Sequence, residues 1–199
     1  GYSWDKTKKI GGVIDVINDK LQSKVSEMRK SGLNIMMSMK DDAKPVSFIE
    51  DCAVQLKDLA EYTDGLNKIF DKYNVKGTWY AHASVGCLHV RPVLNMKIQD
   101  DIKKMRNIAN ETSALVKKFN GSYSGEHGDG IARSEFNEVM FGKKMIRIFK
   151  FIKNSFDPLN IFNPGKIVDA PQLDSRNLFR YAPSYNAQNI NTVLDWSAW

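Results

Sequence analysis

The sequence predicts an α+β fold in which helices pack on one face of a single antiparallel sheet. Three observations predict it. Apolar residues recur at helical spacing in four segments. β-formers alternate in the segments between them. The two kinds of segment do not follow the regular strand–helix repeat of a parallel sheet. The expected order is helix, strand, helix, strand, strand, helix, strand, helix.

Residues 1–9 are polar and expected to fray. Ile10, Ile14, Ile17, Leu21, Val25 and Met28 then make an amphipathic stripe. That helix should stop near Ser31-Gly32, where glycine can adopt a left-handed cap. Residues 33–39 are mostly apolar and ambiguous, with Asn34 and Ser38 as the polar members, and Asp41, Asp42 and Pro45 mark a loop. Residues 46–54 alternate and read as a strand. Glu50-Asp51 in its middle is unusual: an edge or exposed face is the first expectation, and a functional role the alternative.

Leu56, Leu59, Leu66, Ile69, Phe70 and Tyr73 form the next stripe, with Gly65 inside it at a cost of about 1 kcal/mol against alanine. Asn74 and Gly77 close that helix. Residues 78–83 and 87–94 read as two strands joined by Ser84-Val85-Gly86. Alternation puts Tyr80 and His82 on one face of the first, and His89 and Arg91 on one face of the second. A third helix, capped by Asp100 or Asp101, carries Met105, Ile108, Thr112, Leu115 and Phe119 and ends at Asn120-Gly121. A short extended piece at 122–124 leads into the glycine-rich loop 125–130. Met145, Ile148, Phe149, Ile152 and Phe156 define a fourth helix with a solvated lysine-rich side, stopped by Asp157-Pro158. From Ala170 the periodicity dissolves. The expected organisation is an N-terminal helix region (1–43), a main domain (44–169) and an extended tail or linker (170–199). Trp196 and Trp199 would be odd in free solvent, so the natural chain is expected to continue or dock there.

The 199 residues, 42% hydrophobic and 26% charged, suffice for one sizeable core. No apolar run approaches the roughly 20 residues that span a bilayer. The net charge of +6 is spread along the chain, without the aromatic-interleaved basic stripe of a nucleic-acid face. Two cysteines are too few for a disulfide scaffold, so a reduced, cytoplasmic setting is expected.

All three histidines lie between residues 79 and 130, at His82, His89 and His127. Neutral imidazole and carboxylate together suit divalent transition metals, and catalytic sites usually use three protein ligands and leave one position open. His82 and His89 can meet from adjacent strands, and Glu126 can reach them from the glycine-rich loop. His127 would then stand beside the open position as a general base. Cys87 is a rival ligand, with a small core residue as the alternative. Purely structural histidines remain an alternative as well. The loop lacks the lysine and Ser/Thr of a phosphate-binding P-loop, and no Gly-x-Ser-x-Gly elbow marks a serine hydrolase.

His82-x6-His89, Gly125-Glu126-His127-Gly128 and Asp157-Pro158 with Asn163-Pro164-Gly165-Lys166 resemble the C-terminal domain of FAD-linked oxidases, the D-lactate, glycolate and D-2-hydroxyglutarate dehydrogenase group. The resemblance runs from about Lys44 to Ile167. It is nearest to long bacterial members in which an FAD domain precedes this domain and a cysteine-rich iron–sulfur domain follows it. The string Ala81-His82-Ala83-Ser84-Val85-Gly86 and the ending Asp195-Trp196-Ser197 are similar to theirs. Shorter members usually carry Gly-Asp-Gly-Asn between the histidines; here Ser84-Val85-Gly86-Cys87 changes the polar surroundings of the ligands.

The resemblance implies a metal-assisted oxidation of a D-2-hydroxy acid. His82, His89 and Glu126 would hold a divalent ion such as Zn, Mn or Fe, and His127 would take the hydroxyl proton while hydride passes to FAD. Arg91 would clamp a substrate carboxylate, its alternative being a surface ion pair. Asn163 and Lys166 would make the cofactor contacts, in a turn that returns toward the FAD domain. An iron–sulfur cluster belongs to the full-length protein alone. The FAD-binding domain is not in this sequence, so the isolated chain is expected neither to hold FAD tightly nor to turn over. A metal-dependent hydrolase using the same His/His/Glu set, and a non-catalytic interaction module, are the alternatives.

Overall fold

The computed structural model describes residues 15–182, 185, 190 and 192–195. Ile10, Ile14, Trp196, Trp199 and the polar residues 1–9 lie outside the described residues. The chain divides into two compact units, residues 1–38 and 39–199.

In the first unit, helix α1 spans Asp19–Met37. It starts where the Asn18 side chain accepts the Leu21 amide at 3.1 Å, satisfying one of the donors a helix N-terminus leaves over. The expected stop at Ser31-Gly32 does not occur. The helix runs through the glycine and takes up residues 33–37, and its last turn closes from the Ser38 amide to the Ile35 carbonyl. One glycine costs a helix only about 1 kcal/mol. Without a left-handed residue there, nothing ends it.

The second unit is built on an antiparallel sheet, as an α+β fold requires. Strands β1 (Lys44–Pro45), β2 (Cys52–Ala53), β3 (Gly77–His82) and β4 (Cys87–Leu94) all pair through β4. Along one edge of β4 lies β3, in register from Gly77↔Pro92 to His82↔Cys87. The other edge is shared: β2 pairs at its beginning (Cys52↔Leu88) and β1 at its end (Lys44↔Leu94). The strand expected over residues 46–54 is therefore broken. Val46 donates to the Pro92 carbonyl and Cys52–Ala53 pair with β4, while residues 47–50 belong to no strand. Asp51, at φ 85, sits in the left-handed region that ends a regular strand.

The β3–β4 connection follows the expected position, as a single 3-10 turn over Ala83–Val85 closed by Gly86 at φ 72. A Cβ on Gly86 would lie 2.0 Å from the Val54 carbonyl oxygen, so both the conformation and the space require glycine.

Helices α2 (Leu59–Lys72) and α3 (Gln99–Lys118) supply the core. Tyr62, Leu66 and Phe70 of α2, with Ile102, Met105, Ile108 and Val116 of α3, join Leu88, Val90 and Leu94 of β4 in one buried cluster. Gly65 has its reason here. A Cβ at that position would come within 2.8 Å of the Leu115 side chain, so the glycine lets the two helices approach. Neither Asp100 nor Asp101 caps α3; both lie in its first turn, where they complement the helix dipole. The Asp101 carboxylate instead accepts the Asn95 amide.

Residues 122–124 are extended and touch the sheet through the bridge Ala53↔Ser122. A short helix, α4 (Gly130–Ser134), follows the glycine-rich loop, and α5 spans Asn137–Phe156 with a break at Gly142 (φ 79). The fourth helix is thus longer than its sequence stripe, and that stripe is largely uncovered. Phe151 is 73% exposed and Phe156 85%, and Met145, Ile148 and Ile152 are exposed too. Beyond α5, Leu173 is buried in the core and Asp174 pairs with Arg106 of α3. Among the described residues no helix is long and apolar enough to cross a membrane.

Candidate metal centre

Pairing of β3 with β4 in register fixes the first two imidazoles. Tyr80 stands opposite His89, and His82 opposite Cys87. On β4, Leu88, Val90 and Leu94 turn into the core, so alternation directs Cys87, His89 and Arg91 to the other face. The His82 and His89 rings meet edge to face, 5.0 Å apart between centroids.

Loop 124–128 brings the third and fourth groups. Glu126 Oε1 lies 2.9 Å from His89 Nε2 and 3.3 Å from His82 Nε2. The His127 ring stacks on His89 at 4.8 Å, and its Nε2 is 3.9 Å from the same Glu126 oxygen. The structure thus brings together the two histidines, the glutamate and the adjacent histidine that the sequence singles out. Tyr80 stacks near His89 at 5.6 Å. Between them, Tyr80 and His127 hold the ring of His89, whose Nδ1 is buried with no hydrogen-bond partner among the described residues.

The electrostatics suit metal ligation. Burial, and then the neighbouring His127, hold His89 below the ordinary imidazole range, which favours the neutral form that binds metals. Burial raises the Cys87 thiol to about 11, with the Asp51 charge adding to the effect. The thiol is therefore protonated at neutral pH, and it points at Asp51 with Sγ 3.7 Å from Oδ1. It is a small buried donor there, and the thiolate a metal would need is disfavoured.

Burial of two carboxylates departs from the first expectation for them. Glu50 and Asp51, expected at an edge or exposed face, are 7% and 0% exposed. Asp51 lies under the loop. Burial alone would raise its carboxyl, but hydrogen bonds from the His127 amide, the Ser124 hydroxyl and the Glu126 amide outweigh burial and hold it below the usual range. Asp51, His89, Glu126 and His127 each offer a ligand atom within 4.8 Å of the others.

Glu50 pairs with Arg91 through Nε and lies 3.8 Å from Arg133 Nη2 and 3.7 Å from His127 Nδ1. Arg91 is thus held in a mostly buried ion pair beside the imidazoles. Arg133 ties the back of the loop down by donating to the Gly128 carbonyl and the Glu50 carbonyl. Two adjacent acids inside a run of β-formers were the available signal for Glu50 and Asp51. Arg133 had none.

Asn163 and Lys166 belong to a different place, the turn after α5. The Asp157 carboxylate organises the start of that turn, accepting the Ile161 and Phe162 amides at 2.9 Å and pairing with Lys153. Lys166 Nζ reaches the Pro164 carbonyl at 3.3 Å.

Comparison with known proteins matches residues 7–167 to the family described as FAD linked oxidases, C-terminal domain. The chain belongs to this family. It is 34% identical over 154 residues to a D-2-hydroxyglutarate dehydrogenase of Haemophilus influenzae, which covers 77% of this chain and 15% of that protein. With the Pantoea ananatis protein of the same name the identity is 35% over 164 residues, 81% of this chain and 16% of that one. Glycolate oxidase subunit GlcD of Bacillus subtilis is 29% identical over 143 residues, 72% of this chain and 30% of its own length. The chain therefore spans only about a sixth of the length of these two dehydrogenases.

Proposed function

We propose that this chain is the substrate-binding domain of an FAD-dependent dehydrogenase of D-2-hydroxy acids, and that His82, His89 and Glu126 hold a divalent ion such as Zn, Mn or Fe. One observation carries the reading. A single carboxylate oxygen of Glu126 faces both imidazole Nε2 atoms, at 3.3 and 2.9 Å, from a loop remote in sequence. Two nitrogens and one oxygen leave a fourth position open, as catalytic sites of this kind do. The names of the relatives, dehydrogenases of D-2-hydroxyglutarate and a glycolate oxidase subunit, support the substrate class.

The bound ion would act as a Lewis acid on the substrate hydroxyl, lowering its pKa. The chain supplies the rest. Glu126 and the two histidines fix where the hydroxyl and carboxylate of the substrate sit. His127, stacked on His89 and half exposed, is placed to take the hydroxyl proton at Nε2. Arg91, with Nε occupied by Glu50, would present its terminal nitrogens to a substrate carboxylate. Hydride would leave for FAD held by a separate domain, with Asn163 and Lys166 making the contacts from this side. The exposed apolar face of α5, just before that turn, supports docking there. The lengths of the relatives leave room for that domain and for an iron–sulfur domain. Two free, buried cysteines suit a cytoplasmic setting.

Metal analysis of the purified chain tests the centre. About one equivalent of a divalent transition metal is expected, falling to a small fraction of that in Glu126→Ala. Equal metal content in the two would remove the reading. Flavin absorbance tests the division of labour: the isolated chain should purify without stoichiometric FAD. Hydrolysis of a model ester by the metal-loaded chain alone would favour a hydrolase instead.

A further inference from the structure

We propose that Asp51 is the positioning residue of this centre: it fixes loop 124–127 so that Glu126 faces His82 and His89. The proposal rests on the metal-binding reading above and deepens it.

Four consecutive loop residues donate to this one residue. Ser124 Oγ reaches the Asp51 carboxylate at 2.8 Å, the Glu126 amide at 3.0 and 3.2 Å, and the His127 amide at 2.9 Å. The Gly125 amide donates to the Asp51 carbonyl at 2.6 Å. The aspartate itself is fully buried and held at φ 85, in the break between β1 and β2. Glu126 and His127 are each about half exposed, so packing does little to fix them. A glycine-rich loop bearing two exposed functional groups loses much conformational entropy when ordered. The buried carboxylate orders it before any ligand arrives.

The same contacts distinguish positioning from direct ligation. A carboxylate has about four acceptor positions. Those of Asp51 face the Ser124 hydroxyl, two amides and the Cys87 thiol. The oxygen that faces both strand imidazoles belongs to Glu126. Asparagine has the shape of aspartate, but its NH₂ would meet donors where a second oxygen now accepts.

Calorimetric titration with Zn²⁺ of the whole chain tests this in four forms: unsubstituted, Asp51→Asn, Glu126→Gln and the double variant. Outer-shell partners of metal ligands typically contribute 10–100-fold to affinity, so Asp51→Asn should bind about 10–100-fold more weakly. Because Asp51 acts through Glu126, the double variant should bind about as well as Glu126→Gln alone. Losses that multiply in the double variant would make Asp51 an independent ligand and overturn the proposal. Equal affinity of the unsubstituted chain and Asp51→Asn would overturn it too, while leaving the metal centre standing. Absence of zinc binding by the unsubstituted chain would overturn the centre and this proposal with it.

Two further variants guard against misreading a folding defect. Ile108→Val, in the buried cluster on α3, should lower the melting temperature without changing zinc affinity. Should Asp51→Asn fail to fold, Ser124→Ala decides: losing one donor should weaken zinc binding about 3-fold or more, and unchanged affinity would overturn the proposal.

Discussion

His89 Nε2 and Glu126 Oε1 approach to 2.9 Å although one lies on the central strand and the other on a loop beyond α3. Nothing local to either residue demands that contact. The β3–β4 register sets the histidine, and the contacts of loop 124–127 to Asp51 set the glutamate.

Replacing His89 separates its two roles. His89→Ala removes a nitrogen ligand, which should weaken zinc binding at least as much as loss of an outer-shell partner does, at least about 10–100-fold. Titration of the variant with Zn²⁺ checks this; retention of the unsubstituted affinity would show that the imidazole is structural.

Gly86→Ala should destabilise the chain by roughly 2 kcal/mol or more. A left-handed backbone costs an L-residue roughly 1–2 kcal/mol, and the new Cβ would also press on the Val54 carbonyl oxygen. Urea denaturation followed by circular dichroism reads the difference. A midpoint equal to that of the unsubstituted chain would mean the turn can relax at little cost.

Acid should release one specific clamp. Arg106 of α3 pairs with Glu135 at 2.6 and 2.9 Å and also with Asp174. Its guanidinium holds the Asp174 carboxyl below the ordinary value of 3.8. A carboxyl whose folded pKa is depressed contributes its full stability above the unfolded pKa and loses it as pH falls through the folded one. Asp174→Asn should therefore cost up to about 1 kcal/mol at pH 7, with the gap to the unsubstituted chain closing as pH falls below 3.8. Urea midpoints at a series of pH values measure the gap, and a gap that persists at the acid end would assign the effect to packing.

The outer face of α5 should tolerate polar residues. Phe151→Ser and Phe156→Ser, at positions 73% and 85% exposed, should shift stability by no more than about 0.5 kcal/mol. They should also lower self-association, read by light scattering across a concentration series. A sharp drop in melting temperature would show that this face is packed within the chain.

Much of this was legible along the chain. Apolar spacing located α2, α3 and most of α5, because a 3.6-residue stripe marks a helix wherever one side is buried. Alternation and a glycine between two β-rich runs located β3 and β4. Three histidines within one stretch, with Gly125-Glu126-His127-Gly128, pointed to the centre, since imidazole and carboxylate chemistry resides in residue type.

What spacing could not supply was long-range. The run 46–54 has a strand's pattern but meets β4 in two separate patches, at Val46 and again from Asp51 onward, because pairing is decided by the partner and Asp51 takes a positive φ. Burial of Glu50 and Asp51 depends on what covers them, a loop and an arginine from far along the chain. The sequence by itself determined the residue types at the centre, the helical stripes and the family. Only the tertiary structure decided which carboxylate faces the imidazoles and which one lies beneath the loop. The physical reason is that an acid's role follows from its neighbours' donors and its access to water, and both are assigned when the chain closes on itself.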